Sequence, residues 1–464
     1  MKYNLSDSLE NPSSLKSGDP MQLPPVLKGG WPIIGHLPEF MHDKGALFYK
    51  GYQELGNVFT VNIPKPIVVV TGSEYHQWFY NETDKSLNIA KGYEILKYTI
   101  GEVFLTASKE QYKKQRIFLP IIFGRERNLG YLNAMNYEVD VWLDRLGESG
   151  EMDIMDEMRL VTRSIAGHAF AGANFRDELG SEFWEAYSDI AKSVSIILPP
   201  DWPLPRYKRR DRARAKIRSI LGRLCQQRRQ APEAYDDVIS LLLNTPLDDG
   251  TYLDDQKAAD LWLGLIFAGN DTTARQAAWC VLLTLQHPNI LARLQTEVEV
   301  LNDSIDAMSF RSLPLTFQVI DETVRLKPSA DMLLRVTEQE VQVGDYQIPA
   351  GWRVVIAAGS SHYLESKFSN PPLFDPDRFS KERSEGKDQY AIMGFGGGGR
   401  KCPGMNFAKS EMAIILAKLL RNYDLTLLTP NPKTISVLGG APRPSPTRIS
   451  YQRKRSPVHP MQLN

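Results

Sequence analysis

The sequence predicts a mainly α-helical protein with a small β subdomain, on three observations. Residues 254–287 form one proline-free run that is apolar around most of its circumference, the pattern of a helix buried on all sides. Helical patterning dominates 72–302 and returns at 314–327 and from about 403 to 421. Short alternating, β-branched segments punctuated by Pro and Gly are confined to 58–71, 335–358 and the last residues of the chain.

In chain order, residues 1–25 are polar and contain Asn, Ser, Asp and Pro. They read as a flexible tail, with a single folded domain expected over 26–464. Gly29-Gly30-Trp31-Pro32 makes a turn-rich start to that domain, and β patterns follow at 58–62 and 67–71, separated by Pro64 and Pro66. The run 254–287 is roughly 50 Å long at 1.5 Å per residue, and Pro288 stops it. Gly344, Pro349 and Gly351 mark turns within the β-like stretch 335–358. The last helix opens near Pro403, a residue suited to a first helical turn. Its apolar residues include Phe407, Met412, Ile414 and Leu419, and β-like pieces close the chain at 425–428 and 448–451.

Composition narrows the function. Lys+Arg and Asp+Glu are both 55 of 464 residues, so the formal charge is zero and gives no reason to expect nucleic acid as a partner. The three cysteines, Cys225, Cys280 and Cys402, are far apart with no C-x-x-C pair. That pattern suits neither a disulfide framework nor a four-cysteine zinc site, and points to a reducing cytoplasm. Residues 1–25 lack the apolar run of a signal peptide or membrane anchor. The expectation is a soluble cytoplasmic protein.

The stretch Phe395-Gly396-Gly397-Gly398-Gly399-Arg400-Lys401-Cys402-Pro403-Gly404 carries the chemistry. Gly394, Gly396 and Gly399 satisfy G-x-G-x-x-G, but no βαβ unit or spaced acidic residue follows, so a dinucleotide loop is disfavoured. No Gly-Lys-Ser/Thr follows either, which removes a P-loop. A metal loop fits better. Glycines let amide groups turn in towards a sulfur, and a cysteine at a helix start has its thiolate favoured by the helix dipole. Arg400 is placed to neutralise another negative group. A lone cysteine is often only a small buried hydrophobe, but four glycines before it would then have no purpose.

The spacing of Phe395, Gly398, Arg400, Cys402 and Gly404 resembles the cysteine-loop signature of the cytochromes P450. The resemblance extends over roughly residues 32–451 and implies the cytochrome P450 fold. It implies that Cys402 is the axial thiolate of haem b, that Phe395 covers the sulfur side, and that Arg400 binds a haem propionate. Glu322 and Arg325, taken alone, are an i,i+3 pair that would suit any solvated helix face. Here they resemble the family's E-x-x-R pair, joined by Arg378 of Pro376-Asp377-Arg378-Phe379 in a structural network. Arg335 resembles a second propionate-binding arginine. Arg116 matches the Arg of a W-x-x-x-R pattern in which Tyr112 replaces the usual Trp.

Ala268-Gly269-Asn270-Asp271-Thr272-Thr273 interrupts the long helix with poor helix formers, which predicts a local distortion. It resembles the A-G-x-D/E-T motif over the oxygen-binding face of the haem, and so implies catalytic roles for Asp271 and Thr272. Adjacent residues cannot share a helix face. Thr272 is therefore expected towards the haem, with Asp271 turned to a salt-bridged or watery channel.

The expected activity is insertion of one atom of O2 into an apolar small molecule, such as a terpenoid, steroid or fatty substrate. The sequence resembles the branch that contains sterol 14α-demethylases, but those usually carry His-Thr where this chain has Asp271-Thr272, so sterol demethylation is not inferred. Tyr93, Leu96, the 196–198 stretch ending in Leu198, Phe267, Ala268, Met332, Leu333 and Leu438 are each equally a pocket wall or core. Electrons are expected from a separate ferredoxin, flavodoxin or flavin reductase, docked through Lys113, Lys114, Arg125, Arg127, Lys401 and Lys409. The alternatives are an enzyme of the same fold that uses or rearranges peroxides, a non-enzymatic haem-thiolate protein and, more distantly, a dinucleotide dehydrogenase.

Overall fold

A computed structural model of the chain describes residues 22–195, 198–436 and 442–454. Its centre is the helix Asp255–Gln286, which runs unbroken over 32 residues. Asp254 caps it, its carboxylate accepting the Lys257 amide at 2.7 Å. At the other end His287 is extended (φ −125°, ψ 83°) ahead of Pro288, which starts the helix Pro288–Glu299. Trp262, Cys280 and Leu282 on this central helix are fully buried. The Trp262 indole donates to the Phe170 carbonyl at 2.9 Å, tying the central helix to Ile154–Ala171.

The remaining long helices wrap around this rod. Arg125–Leu146, Pro205–Gln230 and Met405–Asn422 contribute Trp142, Ile217 and Ile415 to one core with it. Pro314–Leu326 lacks a capping side chain of its own. Glu297 supplies the cap from the neighbouring helix, accepting the amides of Leu315 and Thr316 at 2.6 and 2.8 Å.

The described residues form twelve short strands: β1 (Val58–Ile63), β2 (Lys65–Val70), β3 (Leu87–Asn88), β4 (Ser149–Asp153), β5 (Leu333–Thr337), β6 (Val341–Val343), β7 (Tyr346–Ile348), β8 (Arg353–Ile356), β9 (Tyr423–Leu427), β10 (Lys433–Ile435), β11 (Arg443–Ser445) and β12 (Arg448–Arg453). The largest sheet has the order β1-β2-β8-β5-β3, with β2 and β8 parallel in the register Ile67↔Arg353. It joins the amino-terminal strands to 333–356, the two regions where the sequence shows alternation. β12 lies between β4 and β9.

Two local expectations are corrected. The last helix begins at Met405 with Gly404 as its cap, so Pro403 precedes the helix and Cys402 lies two residues before the cap. The motif from Ala268 to Thr273 does not break the central helix. The Thr272 hydroxyl donates to the carbonyls of Ala268 and Gly269, at 2.8 and 3.2 Å, so its competition for backbone bonds is met within the helix.

Candidate active site

The cysteine loop is a tight return. The Cys402 amide donates to the Phe395 carbonyl at 2.8 Å, and the Gly396 amide to that of Met393 at 2.8 Å. Gly396 and Gly398 take φ of +67° and +59°, the left-handed region that a side chain disfavours. A Cβ on Gly397 or Gly398 would also come within 2.8 Å of Tyr80. The glycine run therefore lets Tyr80 lie against the loop while the loop turns the sulfur outward. Cys402 is exposed, although protein surrounds it closely enough that burial pushes its thiol up, against the Gly404 hydrogen bond and the Lys401 charge. Its free surface therefore lies in a recess.

The central helix shows the complementary feature. Ala268 and Gly269 are exposed in the middle of a helix whose residues from Leu261 to Ile266 are all buried. A Cβ on Gly269 would meet nothing within 4 Å. Phe104 links this face to the cysteine loop. Its carbonyl accepts Arg400 Nη1 at 3.3 Å, and its ring carbon Cδ2 lies 3.6 Å from the Cβ position of Gly264, one turn before Ala268.

Asp271 and Thr272 point apart. Asp271 lies 3.7 Å from Arg159 and 3.9 Å from Arg275, two half-buried guanidiniums. Asn270 is buried and accepts the Thr162 hydroxyl at 3.3 Å. The Thr272 carbonyl accepts the Ser329 hydroxyl at 2.9 Å, and Ser329 also reaches Gln276 at 3.1 Å.

The cations expected to bind carboxylates occupy three different settings. Arg335 is 3% exposed and has no carboxylate within salt-bridge distance among the described residues. Its Nε donates to Thr83 Oγ1 at 3.2 Å, its Nη1 to the Leu334 carbonyl at 2.8 Å, and its guanidinium lies 4.9 Å from the Phe79 ring. Arg400 grips Asp84 with two bonds of 2.7 and 2.8 Å and lies over the Tyr112 ring at 3.1 Å. The Tyr112 hydroxyl reaches the Gly399 carbonyl at 3.4 Å. Arg116 is exposed, with no side-chain partner among the described residues.

Glu322, Arg325 and Arg378 form a wholly buried cluster, each 0% exposed. Arg325 takes both Glu322 oxygens at 2.7 and 2.8 Å, and Arg378 takes Glu322 Oε1 at 3.0 Å. The surface-pair alternative is thereby set aside.

Among the candidate wall residues, Tyr93 accepts the Leu334 amide at 3.3 Å, beside Leu333. Phe267 lies 6.5 Å from the Tyr187 ring, and Leu96, Met332 and Leu333 pack half-buried against core clusters. The Leu198 carbonyl accepts Tyr207 at 3.0 Å. Leu438, Ile196 and Ile197 lie outside the described residues.

A family description, Cytochrome P450, matches residues 24–448. The chain belongs to the cytochrome P450 family. Among curated proteins this P450 is similar to the sterol 14-demethylase of Arabidopsis thaliana, 27% identical over 89% of this chain and 88% of that protein. It is equally similar to the sterol 14alpha-demethylase of Mycolicibacterium vanbaalenii, 27% identical over 88% of this chain and 92% of that one. Among solved structures, retinoic acid bound cyanobacterial CYP120A1 matches with a TM-score of 0.81 at 24% identity, covering 94% of this chain and 100% of that one. That likeness shows the fold. The chain is a cytochrome P450 monooxygenase, an oxidoreductase that works with haem, O2, a redox partner and a hydrophobic substrate.

The residues suit a haem. Among the described residues the buried Arg335 has no carboxylate in salt-bridge contact and Tyr80 has a buried hydroxyl without a hydrogen-bond partner, both in the arginine cluster beside the cysteine loop. A buried cation without an acid is costly unless an anion arrives from elsewhere. No helix of the described residues is long and apolar enough to cross a membrane.

Sequence reasoning missed Thr83, Asp84, Ser329, Arg159 and Arg275. None falls in a recognisable motif, and each matters only through a partner distant in the chain.

Proposed function

We propose that this P450 holds haem b through Cys402 and oxygenates an apolar, isoprenoid-like small molecule, with electrons from a separate ferredoxin, flavodoxin or flavin reductase. The observation that carries this reading is the exposed Ala268–Gly269 face inside an otherwise buried helix, next to Thr272 and linked through Phe104 to the cysteine loop. The haem, once bound, supplies O2 activation, with thiolate donation favouring O–O cleavage.

The chain's own residues do the rest. Arg116, Arg335 and Arg400 orient the haem carboxylates, with Tyr112 stacked on Arg400. Phe395 covers the sulfur side. Thr272 offers a hydroxyl at the open face, and rotation about its side chain exchanges the Ala268 bond for a hydrogen bond to a group in the recess. Asp271, held between Arg159 and Arg275, receives protons from the other side of the helix and passes them on. Phe267, Ala268, Tyr93, Leu96, Leu198, Met332 and Leu333 are proposed to form the substrate wall.

Steroid and retinoid ligands share an isoprenoid skeleton. The relatives named for sterols and the neighbour solved with retinoic acid therefore favour a rigid apolar terpenoid over a straight fatty chain. Asp271 in place of the His usual in sterol demethylases argues against sterol demethylation. A panel of terpenoids, retinoids, steroids and fatty acids, screened by optical difference spectroscopy, tests the reading. A blue-shifted haem band with terpenoids or retinoids at micromolar concentration supports it. A response confined to fatty acids would overturn the substrate class.

A further inference from the structure

The short turn after the helix Ser73–Glu82 holds both of the enclosed arginines. Arg335 and Arg400 are 65 positions apart in sequence, yet each takes its side-chain acceptor from one of two consecutive residues. Thr83 Oγ1 accepts Arg335 Nε at 3.2 Å while its own hydrogen goes to the Phe79 carbonyl at 2.8 Å. Asp84 accepts Nε and Nη2 of Arg400 in a two-bond fork.

The backbone is bent to make this happen. Asp84 has φ +65°, a left-handed conformation that Asp tolerates better than most residues. Its amide donates to the Leu87 carbonyl at 2.8 Å, which closes the turn. Leu87 and Asn88 then pair with Thr337 and Val336 of β5, the strand that carries Arg335. The turn is thus fixed to one arginine through the sheet and to the other through its carboxylate. The charges of Arg400 and Asp84 both act on Arg335, so the three groups form one electrostatic unit.

We infer that Thr83 and Asp84 are positioning residues which arrange Arg335 and Arg400 as a ready-made receptor for the two haem carboxylates. This rests on the haem reading above. The charge count supports it. Arg116, Arg335 and Arg400 less Asp84 leave two positive charges, the number that two propionates require. Without Asp84 the receptor would carry one charge too many and Arg400 would lose the acceptor that aims it. Arg400 Nη1 and Arg335 Nη2 have no side-chain acceptor among the described residues, so each guanidinium keeps donors for a ligand. The opposite role is also specific: Asp84 would be a stand-in that occupies an anion's place and must be displaced.

Two measurements on the purified holoprotein separate these roles. One is the rate of haem transfer to an excess of apomyoglobin, and the other is the haem midpoint potential. Losing an outer partner of this kind typically costs about 10-fold or more in retention. Asp84→Asn is therefore expected to release haem about 10-fold faster and to shift the potential positive, since a negative charge near the haem edge is gone. Asp84→Glu should restore the potential and part of the retention. Thr83→Val, which leaves every charge in place, should speed haem release without the same shift in potential. It carries the test of the turn if Asp84→Asn does not fold. Unchanged or slower haem release in Asp84→Asn, or in Thr83→Val where only that variant folds, would overturn the inference. A wild-type protein that binds no haem would instead overturn the reading on which it rests.

Discussion

His362 joins the Glu322 helix to the segment leading into the cysteine loop by hydrogen bonds on both ring nitrogens. Its Nε2 accepts the Met393 amide at 2.8 Å, so its Nδ1 carries the proton and donates to the Arg325 carbonyl at 2.8 Å. Protonation would set an N–H against the Met393 N–H. Burial therefore holds the ring neutral, with its pKa lowered to about 3. His76 makes the same arrangement between the Tyr390 carbonyl and the Ser361 hydroxyl, each at 3.0 Å, with its pKa lowered to about 4.

Both shifts lie below the ordinary value of 6.5. As pH falls through 6.5 the unfolded chain takes protons that the folded protein refuses. Stability is therefore lost progressively between about pH 6.5 and the folded values, by up to about 1.4 kcal/mol per pH unit for each ring. Glu411 is buried, with no partner for its Oε1 among the described residues, and burial raises its carboxyl well above its usual range. It works in the opposite sense and makes the net slope shallower. His76→Gln can keep the bond to Tyr390 without titrating. Its urea midpoint should fall less than that of the wild type between pH 7 and 5, and parallel losses in the two proteins would contradict the assignment.

The Glu322 cluster should behave as a coupled unit. Glu322→Gln strands the buried Arg325 and leaves Arg378 with only its 2.7 Å bond to Glu385 among the described carboxylates, and should cost about 3–5 kcal/mol of stability. Glu322→Gln with Arg378→Met should cost less than the sum of the single changes, because both act on one network. Additive losses in a denaturant-based double-mutant cycle would refute the coupling.

Thr272 and Asp271 should fail in different ways. Thr272→Ala should bind substrate normally yet divert reducing equivalents to peroxide. Asp271→Asn should slow turnover on the order of 10²-fold or more, as loss of general acid assistance does. Arg275→Leu, which leaves Asp271 with Arg159 as its one ion-pair partner among the described residues, should alter the pH profile of turnover without altering substrate affinity. The measurements are product formed per electron consumed and the rate as a function of pH. Full coupling in Thr272→Ala would remove the hydroxyl from the reaction.

The electron donor should respond to only part of the basic surface. Lys114 pairs with Asp249 at 3.5 Å, Arg127 with Asp236, and Lys409 with Asp321 at 2.5 Å. Lys113, Arg125 and Lys401 have no carboxylate partner among the described residues. Lys113→Glu and Lys401→Glu should therefore slow electron transfer more than Lys114→Glu. The effect should shrink as salt rises from about 0.05 to 0.5 M, as for exposed charges. Rates indifferent to both would place the donor elsewhere.

Much of this arrangement is legible in the sequence, for reasons that differ by residue. Cys402 is legible because four glycines before one cysteine have few uses. The central helix is legible because Asp254 and Pro288 bound a long apolar run. Glu322 and Arg325 become legible only with the resemblance, since spacing cannot separate a buried pair from a solvated one. Asp84 is not legible at all. Its importance comes from a left-handed turn and from an arginine 316 positions away, neither of which leaves a local pattern. The continuous helix through Thr272 is legible, but its regular backbone there is not, because propensity ignores a hydroxyl that bonds back to its own turn.

Everything proposed for the site depends on the Cys402 sulfur ligating a haem iron. The most direct test is the optical spectrum of the reduced protein under CO. The wild type should show the strongly red-shifted band of thiolate ligation, and Cys402→Ser should lose it, while Cys225→Ser and Cys280→Ser should keep it. Retention of the thiolate band in Cys402→Ser would contradict the account.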